Sequence, residues 1–427
     1  MVCATRLIRA CGERSSWTIR KEYEMNKQQK KKALIIGCGI AGPALALFLK
    51  RSGIESAIYE ARAEDEGYSL SLSCNGVAVL RTLSLEEQVF AEGSPVTKWS
   101  MWNGKGKYLG GGLFTADGIK SVFIKRVPLG AILSNEAERQ GISIQRGRKL
   151  LNLEATKTNS VVATFEDGTT ASGDFLAGCD GVHSMARQFV DPEARPIYSG
   201  LINSGGYSRN VNLPQTPETS NFILGRRAFF GYHMSPSGYI YWFVNYPQAH
   251  EPAREALLKL THEERKQRLL ALFRDDQPFI CDIIQAAETT FPDFLTYTLP
   301  VQPARWHKGP VVLVGDAVHA ISPSSGQGAS MALEDAAILA KCLRDIPDLE
   351  QAFETYEGLR RDRTVKMFDL GQRSDSGKFV TGPIQQWYRD LTTPIFLKLF
   401  ANPKASDWIY SYRVNWDSPV SVKESDK

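Results

Sequence analysis

Short apolar runs closed by glycine set the frame of this chain. Residues 33–36 and 311–314 are unbroken apolar stretches of strand length, the pattern of a parallel strand buried on both faces. Each leads through glycines into helix-forming sequence: Gly37, Gly39 and Gly42 before residues 44–50, and Gly315-Asp316 with Gly326-Gln327-Gly328 before a helix expected to run through Cys342. A second strand is expected at 56–59, and residues 124–129 read as a strand entering a helix. The middle of the chain changes period. Residues 161–165 and 169–173 flank Asp167-Gly168, and residues 228–234 and 239–245 flank Ser235-Pro236-Ser237-Gly238, so each pair predicts a hairpin. In the second hairpin Tyr239, Tyr241 and Phe243 alternate with Ile240, Trp242 and Val244, which puts the two sets on opposite sheet faces. Beyond Leu343 the pattern is helical, and Arg360, Arg361 and Arg363 are expected on a solvated helix face.

Composition narrows the class of protein. A length of 427 residues with ordinary apolar and charged fractions makes two domains the default. The net charge of +4 is small for this length and the basic cluster at 30–32 is short, so neither nucleic acid nor an anionic membrane is implied as a partner. That cluster is expected in a solvated tail. The longest apolar helix-like stretch, 41–49, is far below the ~20 residues of a membrane span. The seven cysteines are scattered, with no spacing that would hold zinc, which fits a reducing compartment and no metal. Residues 1–32 read as a disordered extension. Arg6, Arg9, Arg14 and Arg20 give it a trace of mitochondrial presequence, Glu13, Glu22 and Glu24 oppose that, and a start at Met25 is the alternative; a cytoplasmic protein is the expectation.

The first glycine cluster carries chemistry. Gly37 permits a tight turn, Gly39 lets the backbone approach a pyrophosphate, and Gly42 lets helix and strand pack closely. The positive end of the following helix then faces the phosphates. Glu60 ends the second strand about 20 residues downstream, where a carboxylate receives the ribose hydroxyls of an adenine nucleotide. This fingerprint serves NAD and FAD equally.

Two later segments make the chain resemble a family. Gly178-Cys179-Asp180-Gly181-Val182-His183-Ser184 with Arg187, and Gly315-Asp316 followed by Pro323 and Gly326-Gln327-Gly328, are similar to the Asp-Gly and Gly-Asp motifs of the single-component aromatic-ring FAD monooxygenases, the para-hydroxybenzoate and salicylate hydroxylase family. The resemblance spans roughly residues 33–368 and implies FAD as cofactor, with NADPH or NADH as co-substrate. It implies an α/β fold: a glutathione-reductase-type doubly wound FAD-binding domain at 33–190 with 296–345, interrupted near 97–123. An antiparallel substrate domain at 191–295 and a helical region at 346–427 complete it. By the same resemblance Asp180 lies near the pyrophosphate and Asp316 binds the ribityl chain. Gly326, Gly328 and Ala329 open a helix aimed at the pyrimidine edge of the flavin, and Pro323 lines the cavity where oxygen reacts. Arg126 and Ser69, the latter beside Gly67 in a glycine-rich segment, are carried over as flavin contacts. Many relatives have asparagine near Ser330.

The implied reaction is hydroxylation, or a related oxidation, of an aromatic or polyketide-like molecule by molecular oxygen through a flavin C4a-hydroperoxide. The aromatic hairpin would roof the flavin, with His233 and Tyr241 as candidate catalytic pocket residues, although plain sheet packing explains these aromatics equally well. His183 and His319 read as structural. By the same resemblance Gly205 stands where many relatives carry a substrate-activating arginine; Arg226 and Arg227 are the candidate replacements, and exposed turn arginines are the alternative reading. Two rival readings are a same-fold flavin reductase of prenyl-type double bonds and a non-catalytic FAD-binding scaffold. A halogenase is disfavoured because Trp99 and Trp102 do not form that group's WxWxIP sequence.

Overall fold

The structure is a computed structural model that describes residues 31–64, 68–156, 160–378, 382–400 and 403–420. The expectations for the extension before residue 31 and for Gly67 lie outside these residues.

A six-stranded sheet forms the centre, in the order His307–Lys308, Val311–Leu313, Phe175–Gly178, Lys32–Ile36, Glu55–Glu60, Ser143–Arg146. All neighbours are parallel except the edge pair, where His307–Lys308 runs antiparallel. The apolar runs make these strands because helices and a second sheet cover them: Leu34, Ile35, Val311, Val312 and Leu313 are all out of solvent. The helices Ala41–Arg51 and Gly328–Asp345 pack on each other beside the sheet. A three-stranded antiparallel sheet, Leu150–Ala155, Val161–Phe165 and Thr170–Gly173, also packs on it, with Phe165 stacked on Tyr59 at 4.8 Å. The basic cluster is not wholly in a tail. Lys32 starts the first strand, and Lys31 donates to the carbonyl of Pro347 at 2.6 Å.

The second layer is an eight-stranded sheet ordered Ala287–Thr290, Ile197–Ser208, Ile240–Pro247, Phe229–Met234, Thr219–Leu224, Lys98–Asn103, Tyr108–Leu113, with Phe294–Thr298 also pairing on Ile197–Ser208. It is antiparallel apart from one junction, where Thr219–Leu224 runs parallel to Lys98–Asn103. The alternation read from the hairpin is kept. Ile240, Trp242, Val244 and Phe230 face a core shared with the helices His262–Phe273 and Pro278–Gln285, while Tyr241 and Phe243 occupy the other face.

The helix Leu349–Lys378 corrects one expectation. Arg360 and Arg363 are buried, not solvated: Arg360 pairs with Glu334 at 2.8 Å and with Asp335 at 2.7 Å, and Arg363 pairs with Glu334 at 2.9 Å. The helix is pinned to Gly328–Asp345 through charge, and buried guanidinium groups need such partners. Arg361 is half-buried on Glu357. Among the described residues no helix is long and apolar enough to cross a membrane, and no group of three His, Cys, Asp or Glu could hold a metal ion.

Candidate active site

Glycine is sterically required where the first loop meets the second. Gly37 has φ 103°, and a Cβ there would collide with the carbonyl of Cys179. A Cβ on Gly42 would strike the carbonyl of Gly37, so the helix Ala41–Arg51 can lie this close to its strand only as glycine. Gly39 has a different neighbour. A Cβ there would sit 3.6 Å from the guanidinium of Arg126, which opens the helix Arg126–Arg139 after the strand Ile119–Lys125. A cation thus stands beside the loop. No side chain caps the helix Ala41–Arg51 and no acidic residue lies in its first turn, so its amides and positive end are left open. Glu60 closes the strand Glu55–Glu60, its carboxylate accepting from the amides of Cys38 at 2.6 Å and Arg62 at 2.9 Å.

The Asp180 carboxylate is turned inward. It accepts from Ser184 Oγ at 2.5 Å and from the amides of Met185 and Ala186 at 2.8 and 3.1 Å, so it caps the start of the helix Met185–Val190. Its local work is to shape the loop that Gly37 abuts. Arg187 of that motif is buried and donates to the carbonyls of Ala194, Val182 and Ala317, tying the second motif to the third.

Asp335 lies beneath the third loop. Its carboxylate accepts from the amide of Gly315 at 3.1 Å, pairs with His319 at 2.5 Å and receives Arg360. Burial pushes this carboxyl up, but the His319 and Arg360 charges outweigh it and hold it at about 2. His319, fully buried, is structural. Asp316 itself is exposed, and its carboxylate lies 3.9 Å from where a Cβ on Gly328 would stand. Pro323 opens the short 3-10 turn Pro323–Ser325, Gly326 ends it at φ 64°, and both are exposed. The helix from Gly328, with Ala329 half-buried in its first turn, again has neither a side-chain cap nor an acidic first turn. Ser330 faces away from this opening: its hydroxyl accepts from the amide of Ser73 at 3.2 Å.

Strand register fixes the wall opposite. Tyr207, Tyr241 and His233 are consecutive cross-strand partners, as are Asn203, Asn245 and Phe229 two same-face steps along, so all six share a face. His233 is not a pocket base. It is fully buried, with Nε2 2.7 Å from Ser94 Oγ, Nδ1 3.2 Å from the carbonyl of Thr219, and its ring stacked on Phe123. Burial pushes its pKa down to about 4, so it stays neutral and spends both nitrogens on packing. Tyr241 is half-buried among Phe123, Tyr207 and Tyr239, and burial raises its phenol above the usual range. Ser69, on the strand Ser69–Leu72, shares a hydrogen bond of 3.1 Å with Tyr207. His183 is exposed, its ring edge against Tyr297. Arg226 and Arg227 stay in their exposed turn, Arg227 paired with Asp275.

A family model described as an FAD binding domain matches residues 30–370. The chain belongs to that family, the group A flavin monooxygenases. This monooxygenase is 28% identical, over 84% of its length and 92% of the relative's, to an FAD-dependent urate hydroxylase of Mycolicibacterium vanbaalenii. It is 26% identical, over 79% and 90%, to a 6-hydroxynicotinate 3-monooxygenase of Pseudomonas fluorescens. Its fold is that of Klebsiella pneumoniae HpxO, solved with FAD and uric acid, with TM-score 0.79 at 24% identity over 90% of this chain and 98% of that one. The monooxygenase therefore uses FAD, and the uncapped helix ends, the glycine loops and the Arg126 cation suit a dinucleotide.

Sequence reasoning missed Lys378. From the last residue of its helix, Lys378 Nζ donates to Ser324 Oγ at 2.7 Å, lies 3.4 Å from Asn245 Oδ1 and sits 4.0 Å over the Phe229 ring. No motif marks a lysine so far along the chain; the only signal was that the third motif had to pack against something.

Proposed function

We propose that this monooxygenase hydroxylates, or oxidises in a related way, an aromatic or polyketide-like small molecule, with NADPH or NADH as reductant and molecular oxygen as co-substrate. One observation supports the location: Lys378 touches both Ser324, next to Pro323, and Asn245 on the Tyr241 face of the sheet, which favours reading turn and sheet as two walls of one cleft. When bound, FAD supplies the redox chemistry, taking hydride from the nicotinamide and delivering an oxygen atom from O2 to the substrate. The chain supplies place and field. The loop Gly37, Gly39 and Gly42 with Arg126 receives the pyrophosphate, Glu60 the ribose, and Asp316 the ribityl hydroxyls. Gly326, Gly328 and Ala329 present a helix start that stabilises negative charge on the reduced flavin, and Ser69 contacts the ring from the side. Pro323 and Tyr241 wall the substrate and exclude water. The urate and 6-hydroxynicotinate named for two relatives are flat heteroaromatics, which fits a cleft walled by Tyr207, Tyr241 and Phe243.

The test is oxygen uptake by the purified holoenzyme with NADPH or NADH and a library of phenols, heteroaromatics and polyketides, with products weighed by mass spectrometry. Substrate-dependent uptake with a product gain of one oxygen atom is expected. Saturation of a double bond without oxygen uptake would instead make the protein a reductase. Failure of both nicotinamides to bleach the flavin anaerobically, with the library present, would make it a scaffold.

A further inference from the structure

The ammonium of Lys378 is a positive charge held against neutral groups. Its contacts are a serine hydroxyl, an amide oxygen at the long distance of 3.4 Å and the face of a phenyl ring, and among the described residues no carboxylate forms an ion pair with it. An ammonium has three N–H donors, and only the bond to Ser324 is short. Two other charged groups bear on it. Asp375 lies one turn earlier on the same helix, with one carboxylate oxygen buried and unbonded, and Arg389 from the helix Pro383–Phe400 donates to the Lys378 carbonyl while pairing with Asp390.

The amide under this lysine is itself fixed. Asn245 donates to Asn203, and Asn203 donates to Thr296, so a buried row of side chains across three strands turns the Asn245 oxygen toward the cation. Such a row costs desolvation unless every member is satisfied. Burial also lowers the Lys378 pKa to about 8, opposed by Asp375, which marks a charge short of compensation.

We propose that Lys378 anchors the substrate, receiving an anionic oxygen of the aromatic ligand, a carboxylate or an ionised phenol or enol, between the Pro323–Ser325 turn and the Asn245–Phe229 face of the sheet. This rests on the cleft assigned under Proposed function and adds the charge class of its ligand. The ring lies against Phe229, Phe243 and Tyr241, and its anionic oxygen takes the donors that Ser324 and Asn245 leave free. The helix Leu349–Lys378 thus contributes a substrate contact to a site otherwise built from loops and strands.

The test is equilibrium binding to the oxidised holoenzyme, read by perturbation of the flavin absorbance, with benzoate, nitrophenolate and neutral benzamide as probes. A charge-assisted hydrogen bond predicts at least about tenfold tighter binding of an anion than of benzamide. Preference for benzoate alone identifies a carboxylate ligand, and preference for nitrophenolate alone an ionised phenol. Lys378→Met should abolish the preference with flavin content unchanged, and Lys378→Arg should keep most of it. Equal binding of anion and amide, no anion binding at millimolar concentration, or a preference that survives in Lys378→Met overturns the assignment. The binding readout needs no turnover, so an enzyme that oxygenates but ignores charge sinks only the lysine, while one that prefers anions but consumes no oxygen sinks only the oxygenation reading.

Discussion

Arg360 donates from Nε to Asp335 Oδ1 at 2.7 Å with both side chains wholly out of solvent, and the other oxygen of Asp335 holds His319 and the Gly315 amide. Asp335→Asn leaves Arg360 to Glu334 alone and takes the carboxylate away from buried His319, so it should cost about 3 kcal/mol of stability. The pH dependence has two limbs. Asp335 is depressed, so its stabilisation is present above the ordinary carboxylate value of 3.8 and is lost as pH falls toward about 2. His319 is raised above 6.5, Asp335 outweighing its burial, so its stabilisation is complete below 6.5 and is lost as pH rises through the raised value. Denaturant midpoints measured across pH for wild type and Asp335→Asn check both limbs; parallel curves would remove this cluster from the account.

Gly37→Ala should disrupt the cradle. The substitution places a methyl group against the Cys179 carbonyl at a positive φ, a strain of about 1–3 kcal/mol on the loop itself. The expected result is protein that folds but purifies with less flavin, seen as a lower ratio of visible to ultraviolet absorbance.

The two carboxylates assigned to opposite ends of the cofactor can be separated. Glu60→Ala removes the acceptor of the Cys38 and Arg62 amides, whereas Asp316→Ala removes an exposed carboxylate beside Gly328. Each should weaken FAD binding about tenfold. Titration of apoprotein should show the Glu60 variant alone losing discrimination between FAD and FMN, which lacks the adenosine end. Unchanged FAD affinity in either variant removes that residue from the site.

His233 should matter to stability and not to the pH profile of turnover. Its pKa is depressed from 6.5 to about 4, so its contribution is present above 6.5 and is lost as pH falls toward 4, about 3 kcal/mol in all. His233→Asn should flatten that part of the stability curve relative to wild type. A turnover inflection that vanished in the variant, with stability unchanged, would restore a catalytic role.

The cofactor side of the cleft was legible because glycine positions are backbone facts. Gly42 is dictated by the Gly37 carbonyl of its own loop, and although the Cys179 carbonyl that dictates Gly37 comes from a remote segment, a strand, a turn and a helix contiguous in sequence announce both glycines. The Lys378 contacts proposed for the substrate side were not, because they join remote segments: Lys378 meets Ser324 across 54 positions and Asn245 across 133. His233 misled for the converse reason. It was picked as a pocket candidate from its place in the aromatic hairpin, but only the strands Ser94–Val96 and Ile119–Lys125 packed over it decide that this end of the face is core. Arg360 and Arg363 looked solvated because their partners, Glu334 and Asp335, belong to another helix.

The order of strands in the six-stranded central sheet has a consequence for biosynthesis. Lys32–Ile36 gains its inner neighbour Phe175–Gly178 only after well over a hundred further residues, and that strand waits in turn for Val311–Leu313. A nascent chain on the ribosome therefore displays its first glycine loop long before the helix that faces it exists. If both glycine-opened helices hold the flavin, a product terminated ahead of Asp345 is expected to purify colourless, which visible absorbance checks.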